Sequence, residues 1–136
     1  QYDLRVSAIT PASQQFFEQL DVWSTIAAQR ISPYRHIHVW DGTGSGEIRF
    51  DAAMVGQTAL GHIIENSVIL NALLEKAQHA VEFAWFCPEQ IERIIPQPDV
   101  IQVVLQSGKI LTGALAIGAD GRNSQVKHFG NFAQKE

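Results

Sequence analysis

Three features of the sequence predict an α+β fold. Apolar residues recur three or four apart between positions 10 and 27, strand-like runs alternate with turn residues through the middle of the chain, and an apolar run from Ile110 to Ile117 passes without a spacer into Gly118-Ala119-Asp120-Gly121. The expected architecture is a set of N-terminal helices, a small and mainly antiparallel sheet with a helix, and a closing strand-turn-helix. A chain of 136 residues is long enough for one core and short for two, so residues 1–136 are expected to form a single unit.

Composition narrows the functional classes. Hydrophobic residues at 46% and charged residues at 18% exclude a disordered or fibrous chain, and a net charge of -4 with no basic stripe argues against a nucleic-acid partner. The single cysteine, Cys87, excludes an internal disulfide and a thiolate cluster, suits a reducing cytoplasm, and reads as a small apolar residue. No run approaches the roughly 20 apolar residues of a membrane span. The first residues carry no charged-then-apolar signal pattern, so the expected location is cytoplasmic.

In chain order, residues 1–10 read as a loop or short extended piece that ends at a helix start, with Thr10 as N-cap and Pro11 at the first helical position. Phe16, Leu20, Trp23 and Ala27 then form an apolar stripe flanked by Phe17 and Ile26, which predicts a core-facing helix broken into two near Asp21-Val22. His36–Trp40 and Glu47–Asp51 alternate across Asp41-Gly-Thr-Gly-Ser-Gly46 and predict a hairpin. His36 and His38 would share one strand face. Nothing nearby completes the three protein ligands an open metal site needs, so no metal is assigned and a half-exposed polar face is the better account.

Residues 52–60 read as a loop, and Val68, Ile69, Ala72 and Leu73 give a helical pattern with Asn66 or Ser67 near its start. From 81 to 117 the chain reads as strands: Val81–Phe86, Ile91–Ile95, and a hairpin of Val100–Leu105 with the run from Ile110 across Gln106-Ser-Gly-Lys109. Pro96 and Pro98 bracket a turn. Ser124–Phe129 can start a helix after the Gly118–Gly121 turn, whose glycines permit positive φ or close approach and whose Asp120 can accept from a sugar hydroxyl or from backbone amides. Taken alone, such a turn is an ordinary loop with an Asp cap.

Gly118-Ala-Asp-Gly-Arg-Asn-Ser-Gln-Val126 resembles the Asp-Gly motif of the FAD-dependent aromatic hydroxylases, the single-component flavoprotein monooxygenases. Two further stretches match in order. Asp3-Leu-Arg-Val-Ser-Ala-Ile9 with Leu20-Asp-Val-Trp23, and Leu60–Leu74 with its Glu65-Asn66 pair, resemble the ubiquinone-biosynthesis branch. The resemblance implies cofactor-binding roles for Arg5 along FAD near its pyrophosphate, Asn66 at the ribityl chain, and Asp120 with Gly121 in the returning turn, with no side-chain nucleophile or catalytic base. Many members carry an arginine further along the helix that starts near Asn66, where this chain has Leu70-Asn71, and Lys127 stands where relatives usually have arginine.

The resemblance further implies a parent enzyme that hydroxylates a polyprenylated phenol or benzoquinol with NAD(P)H and dioxygen. This chain lacks the family's Gly-x-Gly-x-x-Gly and its later Gly-Asp region, and begins at Gln1 inside a motif, so it reads as an inactive internal fragment. A Rossmann-like FAD-binding domain would lie outside it. The run ending at Asp120 would then present an exposed edge, through which a homodimer is expected. Further partners would be subunits of a quinone-biosynthesis complex, with peripheral attachment to the inner membrane. The competing reading is a non-enzymatic binding or assembly module of such a complex.

Overall fold

Thr10 begins the first helix as its sequence predicts: its side chain accepts from the Ser13 amide, and Pro11 fills the first helical position, where its missing N–H costs nothing. The computed structural model describes residues 3–130. In order these form strand β1 (Val6–Ile9), helices α1 (Pro11–Gln19) and α2 (Trp23–Ala27), strands β2 (Ile31–Tyr34), β3 (His36–Trp40), β4 (Glu47–Asp51) and β5 (Gly61–Glu65), and helix α3 (Asn66–Gln78). Strands β6 (Ile91–Pro96), β7 (Ile101–Leu105) and β8 (Ile110–Gly113) and helix α4 (Gln125–Phe129) follow. This is the mixed helix and antiparallel-sheet class that the sequence predicts. Chain length predicts one unit, whereas the chain divides into two compact units between Phe83 and Ala84.

In the first unit β5 lies between β1 and β2, antiparallel to both. Pairing places Ile9, Ile31 and Ile64 on one sheet face, and helices cover that face. Val22 and Ile26 from the α2 region and Ala72 from α3 complete the core, with Phe17, Trp23, Val68, Ile69 and Leu73 packed against it. Ile26 is fully buried, at 0% exposure. The predicted stripe is therefore corrected. The break near Asp21, whose φ of 55° is left-handed, falls where the sequence predicts it, but Phe17 rather than Phe16 and Leu20 turns from α1 to the core, leaving Phe16 at 57% exposure and Leu20 in solvent. Strands β2 and β5 lie where no strand was predicted.

Strands β3 and β4 form a separate two-stranded sheet with Ile37 opposite Phe50 and Val39 opposite Ile48. The stretch expected as a loop contains one 3-10 turn, Ala52–Val55, capped by Asp51.

The second unit is an antiparallel sheet in the order β6-β7-β8 with Val104 and Leu105 buried. The hairpin and the turn after Pro96 match the sequence expectation, the latter closed by the Gln97 amide donating to the Val100 carbonyl. Two predicted strands are corrected. Val81–Phe86 is not a strand, having only weak alternation and no ladder partner. The run from Ile110 stops pairing at Gly113, opposite Ile101, because continuing the register would bring it against Val100, Asp99 and Pro98, and a proline supplies no ladder donor. Beyond that point Leu115 and Ile117 are 76% and 78% exposed rather than buried. Cys87 is likewise exposed.

Replacing Ile26 by Ala should cost about 2–5 kcal/mol of unfolding free energy, as for other buried aliphatic truncations, whereas Phe16→Ala should change it by about 0.5 kcal/mol or less. Urea unfolding of both variants checks this; equal losses would return Phe16 to the core.

Candidate functional site

Two of the four residues assigned to cofactor binding, Arg5 and Asn66, come together at the start of α3. The Asn66 amide donates to the Arg5 carbonyl at 3.0 Å, so the residues are locked backbone to backbone where β1 begins and β5 passes into the helix. Asn66 is exposed, and its Oδ1 accepts the Ser7 hydroxyl at 2.6 Å. With the oxygen engaged, the side chain turns its NH₂ donors outward. Arg5 is also exposed, and its charge lies close enough to Asp3 to favour that carboxylate.

Asp3 organises this corner. Its Oδ1 accepts the Arg5 amide at 2.9 Å and its Oδ2 accepts the Ser67 amide, in the first turn of α3, at 3.2 Å. Glu65, which precedes the helix, gives no side-chain cap, so the aspartate supplies one from 64 positions away. Glu65 instead holds Asp3, accepting its amide at 2.9 Å, and pairs with Arg30 at 2.8 Å. Sequence reading passed over Asp3, Ser7, Arg30 and Glu65 as site components. The one local signal was the Asp3-Leu-Arg5 spacing, which suits an aspartate folded onto the amide two residues on.

Asp120 and Gly121 belong to the second unit. The Asp120 carboxylate takes the Ser124 hydroxyl on Oδ1 and the Gln125 and Val126 amides on Oδ2, at 2.6 and 3.3 Å for the amides. Ser124 in turn accepts the Lys127 amide at 3.0 Å. Of the two partners the sequence allowed Asp120, a sugar hydroxyl or backbone amides, the amides occupy it here. The two glycines act differently. Gly121 sits at φ 77°, whereas a Cβ at Gly118 would lie 2.9 Å from Val126, so the turn closes against α4 only without a side chain there.

His36 and His38 share a strand face, as predicted, but each meets its own carboxylate, Asp51 at 3.4 Å and Glu47 at 3.0 Å. Among the described residues no group of three His, Cys, Asp or Glu side chains is placed to hold a metal.

The capping bonds favour the ionised aspartates. The Ser124 hydroxyl is the main cause that lowers the Asp120 pKa from 3.8, desolvation opposes it, and backbone amides including those of Val126 and Gln125 lower it further; at Asp3 the Arg5 amide is the main cause of the lowering. Groups depressed in the folded state contribute stability above their unfolded pKa and lose it as pH falls through the folded value. The α4 turn should therefore hold at neutral pH and loosen only below 3.8. Asp120→Asn should lower the protection of the Gln125 and Val126 amides at pH 7, each measured against its intrinsic exchange rate at that pH; unchanged protection would contradict the capping role.

No family model matches the chain. Among curated proteins it is 33% identical over 127 residues to the 3-demethoxyubiquinol 3-hydroxylase of Escherichia coli, an alignment covering 93% of this chain and 32% of that protein. It is 35% identical over 138 residues to the mitochondrial ubiquinone biosynthesis monooxygenase COQ6 of Danio rerio, covering 93% of this chain and 28% of that protein. The human protein of the same name is 30% identical at similar coverage. The chain thus spans about a third or less of the length of the curated relatives it matches. Among solved structures it resembles the tetracycline destructase Tet(55), with a TM-score of 0.65 at 17% identity over 95% of this chain and 31% of that one, and Tet(51), with a TM-score of 0.63 at 15% identity. That likeness concerns the fold. Sequence similarity places the chain as a homologue of one part of the ubiquinone-biosynthesis hydroxylases, the branch that Arg5–Ile9 and Glu65-Asn66 indicate.

Proposed function

We propose that this chain is a segment of a longer FAD-dependent monooxygenase that hydroxylates the ring of a polyprenylated phenol or benzoquinol in ubiquinone biosynthesis, with NAD(P)H and dioxygen as co-substrates. The observation that carries the reading is similarity over 93% of the chain to relatives named for that pathway. The corner at α3 adds chemical support. An exposed guanidinium and an outward amide NH₂, held by one backbone hydrogen bond, suit the anionic and hydroxyl-bearing parts of a flavin dinucleotide.

In this reading Arg5 pairs with pyrophosphate oxygens and Asn66 donates to a ribityl hydroxyl. Asp120 already accepts three hydrogen bonds, so its part is to shape the turn, with Gly121 giving the backbone its left-handed step and leaving open space above it. The bound flavin would supply the oxygen chemistry, and the protein binds, orients and excludes water. The side chains singled out in this chain serve binding rather than nucleophilic or acid–base steps. The isolated chain is therefore proposed to be inactive.

No helix among the described residues is long and apolar enough to cross a membrane. Attachment at the inner membrane surface is accordingly assigned to the lipid tail of the substrate and to subunits of a quinone-biosynthesis complex. The exposed Leu115 and Ile117 are the surface through which the isolated chain would pair with a second copy.

Flavin fluorescence quenching on this chain and on the longer gene product, side by side, tests the reading. The long form should bind FAD and the 136-residue chain weakly or not at all; binding by neither would remove the flavoprotein assignment. In the long form Arg5→Ala should weaken FAD about tenfold, the value of one charge-assisted hydrogen bond. For the isolated chain, light scattering should give a dimer at high concentration, and a clean monomer would exclude pairing through Leu115 and Ile117.

A further inference from the structure

Glu65 is an acidic residue in an unusual position. It ends β5, its side chain is 13% exposed, and it makes no bond to the helix it precedes. Both carboxylate oxygens are instead directed across the fold, Oε1 to the Arg30 guanidinium at 2.8 Å and Oε2 to the Asp3 amide at 2.9 Å. The Asp3 carboxylate then binds the amides of Arg5 and Ser67, and the Arg5 carbonyl accepts the Asn66 amide. The bonds form a closed ring through Glu65, Asp3, Arg5 and Asn66. Arg30 sets a guanidinium against this half-buried carboxylate, which offsets part of the cost of taking its charge out of water.

We propose that Glu65 is a positioning residue for the flavin dinucleotide. It acts through Asp3 to hold Arg5 and Asn66 at the mutual spacing the cofactor requires, an inference that rests on the flavoprotein reading above. The geometry separates this role from simple fold maintenance. The β1–β5 ladder has four residue pairs of its own, and α3 is anchored by Ala72, Val68, Ile69 and Leu73 in the core. Loss of the Glu65 charge leaves those contacts in place and releases the start of β1, where Asp3 and Arg5 sit. Gln at this position keeps the size but sets an NH₂ donor against either the Arg30 guanidinium or the Asp3 amide, so one of the two bonds must break.

The test uses the longer gene product. Unmodified protein must first bind FAD; if it does not, the flavoprotein reading falls and this proposal with it. Given binding, Glu65→Gln should raise the FAD dissociation constant about tenfold and shift the visible absorbance and circular dichroism of the bound flavin, while lowering the melting temperature of the flavin-free protein less than Ile69→Ala does. Arg30→Met should act in the same direction, and the double variant should be no worse than the more affected single one, as expected of groups that act as a unit. Ile69→Ala serves as a control that lowers the melting temperature without touching the ring, and should leave the flavin spectrum unaltered. Wild-type affinity and spectrum in Glu65→Gln would overturn the proposal, as would a loss of affinity that Ile69→Ala reproduces with the same spectral shift.

Discussion

The first amides of a helix have no partner inside it, and two helices in this chain meet that need with aspartates from elsewhere. Asp3 reaches the start of α3 from the far end of the first unit, and Asp120 reaches the start of α4 across a glycine turn. Both carboxylates join an irregular stretch to a regular element, and both stretches carry residues assigned to cofactor contact. The capping requirement therefore does more than end helices. It sets where Arg5, Asn66 and Gly121 stand.

The core explains why this corner can be held at all. Ile9, Ile31 and Ile64 present one face of a three-stranded sheet to Val22, Ile26 and Ala72, so β1, β5 and α3 are fixed by apolar burial before any polar group is considered. Polar bonds at the edge of such a core then need only adjust the last residues of each element. Half-buried His62 belongs to the same face. Its ring lies 5.6 Å from Trp23, and its Nδ1 has no partner among the described residues.

Local chemistry was legible in the sequence and long-range pairing was not. Thr10-Pro11, the hairpin around Gly108 and the glycines at 118 and 121 could be read because each depends on neighbours within a few residues. Strands β2 and β5 could not, since each is short and gains its structure from a partner far along the chain. The stripe through Phe16 and Leu20 failed although the break at Asp21 was legible, because one periodicity was carried across that break and α1 turns Phe17 to the core instead. At the site, the motif resemblance singled out Arg5 and Asn66, and the backbone bond between them is consistent with a shared role. Asp3 and Glu65 were passed over, their bond spanning 62 positions.

The hairpin of β3 and β4 shows what the local rules leave unfinished. Its polar face is self-sufficient, with His36 beside Asp51 and Glu47 between His38 and Arg49. Its other face carries Ile37, Val39, Ile48 and Phe50, an alternation that in an antiparallel sheet encodes burial, yet all four remain exposed. A two-stranded sheet is marginal in water without such cover. Leu115 and Ile117 repeat the pattern in the second unit. Exposed apolar side chains at strand spacing fit the proposal of a segment of a longer enzyme, and the curated relatives are about three times as long as this chain. The exposed faces and the proposed cofactor corner thus fit the function proposed above, in which apolar surfaces left open in this chain are covered by further sequence.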